Sequence, residues 1–474
     1  MTTPALTEVH ADAIPIHIVL PTHFSAWRGA QSAWLQQWLN ANAVAGQAGE
    51  LALLPNRDGG LEGVLCLANP QDFWALARLP YSLPPGNYVL AEVFERAALT
   101  RLVTGFALGA YRFTRYKASA AKAFAQLGVA DLQAREQALR VSGAVCGARD
   151  LVYTPAEDLG PEQLARITEG LAQQHGAQFR EVVGAQLLEQ NFPAIYAVGR
   201  ASHRAPRLIE LNWGSDAHPR LVIVGKGVCF DTGGLDLKPA DGMAHMKKDM
   251  GGSAVALNLA ALVMAEQLPV RLKLLLPAVE NAIGPQAYRP GDVLSTRAGI
   301  SVEIGNTDAE GRVILGDALT YGSEFKPELM IDFATLTGAA RIALGPDLPA
   351  TFSNRDALMV DLLGAAKRSS DPLWAMPLWQ EYHRMLDSTI ADMNNAGASK
   401  HAGAITAALY LQRFVPEALP WIHIDTYCWN DADRPGRPRG GECQSLRAVL
   451  QFLRERYSPL TEQKGFTDNS MKQA

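Results

Sequence analysis

The spacing of hydrophobic residues changes part-way along this chain of 474 residues. Before about residue 140, short strand-like and helix-like stretches are mixed: Ile14–Leu20 has the pattern of a strand, whereas Ala30–Leu39 has apolar residues at helical spacing. Beyond that point, continuous apolar runs alternate with helical stretches. We therefore predict two domains, 1–140 and 141–474, of which the second is the larger.

The second region has the pattern of an α/β fold. Its first predicted strand, Leu221–Val224, is an unbroken apolar run, as expected where a sheet is covered on both faces, and the predicted strands alternate with predicted helices. The strands are Leu221–Val224, Arg271–Val279, Leu329–Leu336 and Trp421–Asp425, and the helices are 161–176, Gly252–Glu266, Val313–Gly322 and Ala404–Phe414. We expect a smaller N-terminal α/β domain, then a larger domain with a mostly parallel sheet flanked by helices. Ligands bind such sheets beyond the carboxyl ends of the strands.

Composition and charge narrow the class of protein. Hydrophobic residues make up 48% of the chain and charged residues 19%, which is typical of a soluble globular protein. The formal net charge of −5 gives no reason to expect a nucleic-acid or membrane partner. The five cysteines form no CxxC pair, and the start of the chain lacks the basic segment and apolar core of a signal peptide. We therefore expect a cytoplasmic protein.

Four acidic residues lie near predicted strand or helix ends in glycine-rich surroundings. Asp308 and Glu310 are separated by one residue, so in extended backbone they point to the same side. Two carboxylates this close repel unless one takes a proton or a cation lies between them, and a divalent metal supplies that charge. Asp231 and Asp249 strengthen this interpretation, although Asp249 immediately precedes a predicted helix and could instead cap it.

Lys226 follows a predicted buried strand just before this acidic cluster. Its amine can ligate a metal only when deprotonated, which burial and nearby divalent cations favour; otherwise Lys226 is a salt-bridge partner. His203 and His245 are the nearest histidines in sequence, and both are better explained as surface or core residues. A carboxylate-rich site favours Mg, Mn or Zn over copper. The GxxxxGK[ST] and GxGxxG spacings are absent, which disfavours a nucleotide site.

Three segments give these residues a family resemblance. VGKGVCFDTGGLDLKP at 224–239, HMKKDMGGSAV at 245–255 and NTDAEGR at 306–312 resemble the leucyl (cytosol) aminopeptidase family, and so does their mutual spacing. The similarity extends over most of residues 149–430 and is faint in the N-terminal part. It implies that the larger domain is catalytic and that the enzyme removes the N-terminal residue of peptides.

The resemblance implies a site with two divalent metal ions per subunit, either Mn or Zn, with Mg as a third candidate. At the matching positions, Asp231 and Glu310 would bridge both ions and Asp308 would complete one of them. Lys226 and Asp249 would complete the other. The two ions would lower the pKa of a bridging water and hold it against the scissile carbonyl.

The resemblance also implies two catalytic cations that are not metal ligands. Lys238 would stabilise the developing oxyanion, because a fixed positive charge acts most strongly where negative charge appears. Arg312 would hold a bicarbonate ion that serves as the general base. Without the resemblance, Lys238 is an ordinary exposed lysine and Arg312 an ion-pair partner of a neighbouring acid.

The substrate side-chain pocket would be lined by Met246, Thr335 and Gly338, which match family positions and suggest a medium apolar residue such as leucine or methionine. The chain departs from the family in one nearby segment, where Asp-Thr-Tyr-Cys at 425–428 replaces the usual Asp-Ile-Ala-Gly. Tyr427 and Cys428 therefore replace two small residues, and we expect them to shrink or reshape this pocket.

The expected partner is a peptide with a free N-terminus, and the resemblance further implies a homohexamer. One alternative is a dipeptidase that takes Cys-Gly with the same metals. A non-enzymatic alternative is a hexameric DNA-binding regulator, which the acidic balance of the chain disfavours.

Overall fold

The computed structural model describes residues 5–117, 122–397 and 399–458. The chain divides into two compact units, unit 1 with Met1–Cys146 and Ala432–Pro438, and unit 2 with Gly147–Asp431 and Arg439–Ala474. The division falls within a helix, Leu132–Tyr153. The domain boundary between residues 140 and 141 stays a prediction.

Unit 1 is built on one six-stranded sheet. Its elements in chain order are β1 (Leu6–Thr7), β2 (Ile14–Val19), a 3₁₀-helix (Pro21–His23), α1 (Phe24–Gly29), α2 (Ala33–Ala41), β3 (Leu51–Pro55), β4 (Leu61–Leu67), α3 (Leu79–Ser82), β5 (Asn87–Leu90), α4 (Arg96–Gly109), β6 (Gln126–Gly128) and α5 (Leu132–Tyr153), which continues into unit 2. The strand order is β1-β6-β5-β2-β4-β3, and only the β3–β4 pair is antiparallel. The predicted strand at Ile14 and the predicted helix before Leu39 are β2 and α2.

Unit 2 contains a larger sheet covered by helices. Its first elements are α6 (Pro161–His175), β7 (Gln178–Val183), α7 (Gln186–Glu189), α8 (Pro193–Gly199), β8 (Arg207–Trp213), β9 (Arg220–Gly225), β10 (Gly227–Asp231), α9 (Ala240–Met243), a 3₁₀-helix (Met246–Met250), α10 (Gly251–Ala265), β11 (Arg271–Asn281), β12 (Val293–Ser295) and β13 (Ser301–Glu303). The later elements are α11 (Glu310–Glu324), β14 (Leu329–Ala334), α12 (Gly338–Leu344), β15 (Ala350–Ser353), α13 (Asp356–Arg368), β16 (Trp374–Ala375), a 3₁₀-helix (Gln380–Leu386), β17 (Met393–Asn394), α14 (Gly403–Gln412), β18 (Trp421–Asp425), β19 (Trp429–Asn430), β20 (Gly440–Gly441) and α15 (Leu446–Tyr457).

The main sheet of unit 2 has nine strands in the order β16-β15-β18-β14-β9-β11-β8-β7, with β10 paired to β11 off this path. Most neighbouring strands are parallel, whereas the β15–β18, β8–β11 and β7–β8 pairs are antiparallel. The predicted fold class is therefore confirmed: a smaller N-terminal α/β unit precedes a larger unit whose mostly parallel sheet is flanked by helices. No helix within the described residues is long and apolar enough to cross a membrane.

Burial at the centre of the unit 2 core explains why β9 does not alternate between apolar and polar residues. All four residues from Leu221 to Val224 in β9 are fully buried, as expected for a strand covered on both faces. Helix α10 packs against β9 and β14 and is apolar on nearly all sides, which matches its buried position. The predicted helix Gly252–Glu266 is α10, displaced by one residue at each end.

Glycine at the start of α10 allows the helix to approach the strand ends closely. A Cβ atom at Gly252 would lie 2.1 Å from the carbonyl oxygen of Phe333 and 2.9 Å from the backbone nitrogen of Lys226. The same contact region contains two backbone hydrogen bonds, from Lys226 N to Phe333 O (2.9 Å) and from Ser253 N to Lys226 O (2.8 Å). The helix therefore fixes the backbone from which the Lys226 side chain extends.

We expect Gly252→Ala to lower the free energy of unfolding by about 2 kcal/mol or more, because the methyl group overpacks a buried backbone contact. The matched control is Gly170→Ala in α6, where a Cβ atom has no neighbour within 4 Å. There alanine raises helix stability by up to about 1 kcal/mol. Thermal unfolding of the two variants measures both effects, and an unchanged midpoint for Gly252→Ala would contradict the packing account.

Candidate metal centre

Three carboxylates meet beyond the carboxyl end of β10. Asp231 is the last residue of β10, Asp308 lies in the turn after β13, and Glu310 is the first residue of α11. One oxygen from each of these side chains lies within 4.8 Å of the other two. The location agrees with the general position of ligand sites in parallel sheets.

The backbone between Asp308 and Glu310 is not extended, so that part of the prediction is wrong. Ala309 has φ −111° and ψ 36°, and α11 begins at the next residue. The two carboxylates converge because a turn leads directly into a helix, rather than because alternate residues of a strand share one face. Asn306 supports the turn by accepting a hydrogen bond from the backbone nitrogen of Asp308 (2.8 Å).

Lys226 is buried between two carboxylates. Its Nζ lies 2.7 Å from Oδ2 of Asp249 and 2.9 Å from Oε1 of Glu310, and it donates a hydrogen bond to the carbonyl oxygen of Thr335 (3.1 Å). Burial alone lowers the pKa of Lys226, but the charges of Asp249 and Glu310 outweigh it and raise the pKa above its usual value. In this arrangement Lys226 is an ion-pair partner, and metal ligation requires that it lose its proton.

The capping alternative for Asp249 is excluded. The residue before α10 is Met250, and Asp249 lies in the preceding 3₁₀-helix. Its Oδ1 accepts a hydrogen bond from Oγ1 of Thr335 (2.8 Å), which turns the carboxylate toward Lys226.

Lys238 brings a second ammonium group to the same carboxylates. Its Nζ lies 2.8 Å from Oδ2 of Asp231 and also forms an ion pair with Asp308. Burial alone lowers the pKa of Lys238, but the charges of Asp231 and Asp308 raise it above its usual value. The lysine is therefore a cation beside the cluster.

The cluster carries more negative than positive charge. Burial and the charge of Asp231 raise the pKa of Asp308 to about 6, and the same causes raise the pKa of Glu310 well above its usual value. Oε2 of Glu310 is buried and has no hydrogen-bond partner within the described part of the chain. Carboxylate oxygens with free lone pairs and one amine nitrogen suit Mn, Zn or Mg, so the donor set fits divalent metal ions.

Arg312 lies close to this cluster but does not pair with it. Its Nη1 donates a hydrogen bond to the carbonyl oxygen of Asn395 (3.0 Å), whereas Nε is buried without a hydrogen-bond partner among the described residues. Burial lowers the pKa of Arg312. A buried guanidinium with a free donor is suited to a small anion.

The predicted pocket residues lie on two segments beside the carboxylates. Met246 begins the 3₁₀-helix that contains Asp249, and the hydroxyl group of Thr335 donates a hydrogen bond to Asp249. Gly338 begins α12 and has open space beside it, since an added Cβ would meet nothing within 4 Å. Cys428 has φ 53°, a backbone conformation that favours glycine, so the cysteine occupies the left-handed region at the position where the family resemblance predicts glycine.

Sequence reasoning did not identify two asparagines that position the carboxylates. Nδ2 of Asn281 donates hydrogen bonds to Oδ1 of Asp231 (2.8 Å) and to the carbonyl oxygen of Thr307 (3.0 Å). Oδ1 of Asn395 accepts from the backbone nitrogens of Gly305 (2.9 Å) and its neighbour, which holds the turn in place. Asn281 is the last residue of the apolar strand β11, and a polar residue at the end of such a strand could have been recognised in the sequence. Asn395 lies in no comparable sequence pattern.

The two nearest histidines do not join the carboxylates. His203 is exposed, and His245 stacks on Trp429 with ring centroids 4.6 Å apart.

Comparison with known proteins identifies the family. The profile of the "Cytosol aminopeptidase family, catalytic domain" matches residues 146–450, and that of the "M17 aminopeptidase, N-terminal domain" matches residues 14–130. This chain belongs to the cytosol aminopeptidase family. The resemblance on which the sequence analysis relied is thereby confirmed.

Similar proteins match nearly the full length of this family member. The "Probable cytosol aminopeptidase" of Syntrophotalea carbinolica is 41% identical over 418 residues, which cover 84% of this chain and 82% of that relative. The crystal structure of the cytosol aminopeptidase from Coxiella burnetii is 46% identical, with a TM-score of 0.93 over 96% of this chain and 99% of that chain. The "Bottromycin maturation enzyme BotP in complex with Mn" is 31% identical, with a TM-score of 0.85 over 94% of this chain and 100% of that chain.

Family membership establishes the class of reaction. The chain is a metallo-aminopeptidase, a hydrolase that removes the N-terminal residue of peptides with the aid of two metal ions. None of the comparisons favours the dipeptidase or the DNA-binding regulator.

We expect Asn281→Ala to weaken Mn binding by roughly 10- to 100-fold, because the side chain that orients Asp231 is lost. Titration of chelator-stripped protein with Mn measures the affinity, and circular dichroism verifies that the variant is folded. The matched control is Asn258→Ala, since Nδ2 of Asn258 bonds only within α10, to the carbonyl oxygen of Ala254. Equal affinities in the two variants would contradict a positioning role for Asn281.

Proposed function

We propose that five side chains of this aminopeptidase hold its two metal ions, with Asp231 and Glu310 shared between the ions. Asp308 completes one ion, and Lys226 and Asp249 complete the other. The observation that carries this proposal is the convergence of four buried or half-buried carboxylates, which among the described residues form ion pairs with two ammonium groups, those of Lys226 and Lys238. The remaining negative charge is what two divalent cations would neutralise.

The proposed ions are Mn or Zn, with Mg as a third candidate. The carboxylate oxygens are compatible with all three metals, and the amine of Lys226 favours Mn or Zn, which accept nitrogen ligands more readily. The similar enzyme BotP has been solved in complex with Mn. When bound, the two ions supply Lewis acidity toward the scissile carbonyl and lower the pKa of a water molecule.

Lys238 and Arg312 are the proposed catalytic cations. The ammonium group of Lys238 lies against Asp231 and Asp308, so it is held at the edge of the cluster where a substrate carbonyl would develop negative charge. The free Nε of Arg312 fits a bicarbonate ion, which would accept the proton that the metal-occupied carboxylates cannot take.

The proposed substrate is a peptide with a free N-terminus, whose first side chain lies beside Met246, Thr335 and Gly338. Thr335 links this pocket to the metal centre, because its Oγ1 donates a hydrogen bond to Oδ1 of Asp249. We further propose that the active form is a homohexamer in the cytoplasm.

Protein stripped with a chelator should not hydrolyse leucyl p-nitroanilide, and Mn or Zn should restore hydrolysis, because the water loses its activating charge without metal. Asp308→Asn should bind less metal and remain inactive after metal is resupplied. Sedimentation of the restored enzyme measures its mass against that of six chains. Failure of every metal to restore hydrolysis of any unblocked peptide would end the proposal.

Lys238→Met should lower kcat by about 10²- to 10³-fold while two metal ions per subunit remain bound, because it removes a charge that acts on the oxyanion. Metal analysis of the purified variant separates this result from loss of the site. Lys367→Met, on the exposed face of α13, is the matched control and should retain wild-type kcat.

Arg312→Met should lower kcat and abolish any acceleration by added bicarbonate.

A further inference from the structure

One buried lysine next to the metal centre, Lys248, forms no ion pair with the described residues. Burial lowers the pKa of Lys248, although the charge of Asp249, the next residue, acts on it in the opposite direction. Lys248 is only 6% exposed, and its Nζ lies 4.9 Å from the centroid of the Tyr427 ring. Among the described residues, Nζ of Lys248 forms neither a hydrogen bond nor an ion pair. An ammonium group in this state has exchanged part of its hydration for contact with an aromatic ring, and it can still donate hydrogen bonds to an anion.

The neighbouring lysine shows that this arrangement is particular to Lys248. Lys247 lies on the same 3₁₀-helix, but its Nζ donates a hydrogen bond to the carbonyl oxygen of Tyr153 (2.7 Å) and lies 4.4 Å from the ring centroid of the same tyrosine. Lys247 therefore has a hydrogen-bond partner for its ammonium group, whereas that of Lys248 has none among the described residues and lies beside the ring of Tyr427.

A second cation lies against the same ring. Cζ of Arg341 is 4.6 Å from the centroid of Tyr427, and Arg341 forms no ion pair within the described part of the chain. The hydroxyl group of Tyr427 donates to Oδ1 of Asp431 (3.2 Å), which keeps the ring in position between its neighbours. The positively charged side chains of Lys248 and Arg341 therefore both lie beside the ring of Tyr427.

These cations belong to the segments that form the proposed pocket. Lys248 lies two residues after Met246 on one 3₁₀-helix, and Arg341 lies on α12, which begins at Gly338. The third segment, which carries Tyr427, is also adjacent: a Cβ at Gly251 would lie 2.6 Å from Cβ of Cys428 and 3.0 Å from Cγ2 of Thr335. The proposed pocket residues and the two cations therefore lie on the same or adjacent segments of the chain.

We propose that Lys248, together with Arg341 and Tyr427, forms a carboxylate-binding subsite for the side chain of an acidic N-terminal residue. This inference rests on the proposed function, because it uses the same pocket. It replaces the expected preference for leucine or methionine by a preference for glutamate or aspartate. Tyr427 fills space that a small residue would leave open, and both cations lie against its ring.

A carboxylate would give the Lys248 ammonium group the charge-assisted bond that it lacks in the protein. An amide of the same shape would give only a weaker, uncharged acceptor, and an apolar side chain would give none. Glutamyl and glutaminyl substrates are therefore the sharpest pair of probes, because they are nearly identical in size.

The test compares kcat/KM for glutamyl, glutaminyl and leucyl p-nitroanilides on the metal-loaded enzyme. We expect the wild-type enzyme to favour the glutamyl over the glutaminyl substrate by roughly tenfold or more. Lys248→Met should remove this ratio, and Lys248→Arg should retain part of it because the charge remains. Lys247→Met is the matched control and should keep the wild-type ratio.

Equal rates on the glutamyl and glutaminyl substrates with the wild-type enzyme would overturn the inference, without any variant being needed. A ratio that persists in Lys248→Met would overturn the role of Lys248 and leave it a lysine stabilised by Tyr427 alone. The leucyl substrate separates this inference from the proposed function: metal-restored leucyl hydrolysis without acid preference removes only the subsite.

A carboxylate could also come from the other end of a short substrate. Leucyl-glycine and leucyl-glycinamide differ only in the C-terminal carboxylate, so their comparison isolates that source. If Lys248→Met changes this pair and not the glutamyl pair, the lysine binds the C-terminus of a dipeptide and the assignment to the N-terminal side chain is wrong.

Discussion

Repulsion among the carboxylates of Asp231, Asp249, Asp308 and Glu310 is the constraint on which the structure of unit 2 depends. Lys226 and Lys238 each lie between two of these acids and offset only part of the charge. The rest of the fold holds the acids together against that repulsion. It does so with the ends of buried strands, the start of α11 and hydrogen bonds from neutral side chains.

The parts of the fold and site that could be predicted are those encoded locally. The unbroken apolar run of β9 and the all-round apolar surface of α10 define their elements because each element is buried along its length. The acids could be found because their motifs are short. Asn395 could not, since it contacts Gly305 and Asn306 across about 90 residues of sequence, and such a contact exists only in the folded chain.

The segment after β18 shows how one family scaffold can retain its chemistry and alter its recognition. Cys428 adopts a left-handed backbone conformation, so the chain keeps the path that glycine would allow while carrying a side chain beside Gly251. Tyr427, one residue earlier, is therefore directed toward the cations of two other segments. The proposed metal ligands lie on other segments: Lys226 precedes β10 and Asp231 is its last residue, Asp249 lies on the 3₁₀-helix, and Asp308 and Glu310 lie at the start of α11.

Lys226 is held at both ends of its side chain. Hydrogen bonds to Phe333 and Ser253 fix its backbone, and its methylene chain passes against Gly311, where a Cβ would lie 2.5 Å from its Cε. As a proposed metal ligand, Lys226 offers a nitrogen donor whose position is set by its backbone and by the two carboxylates at its tip. Calcium prefers oxygen donors at about 2.3–2.6 Å, so it is a poor match for a set of ligands that includes a nitrogen atom. Ions with metal–ligand distances of about 2.0–2.2 Å match this set better. In the proposed site, the glycine at position 311 leaves the space through which this lysine reaches the carboxylates.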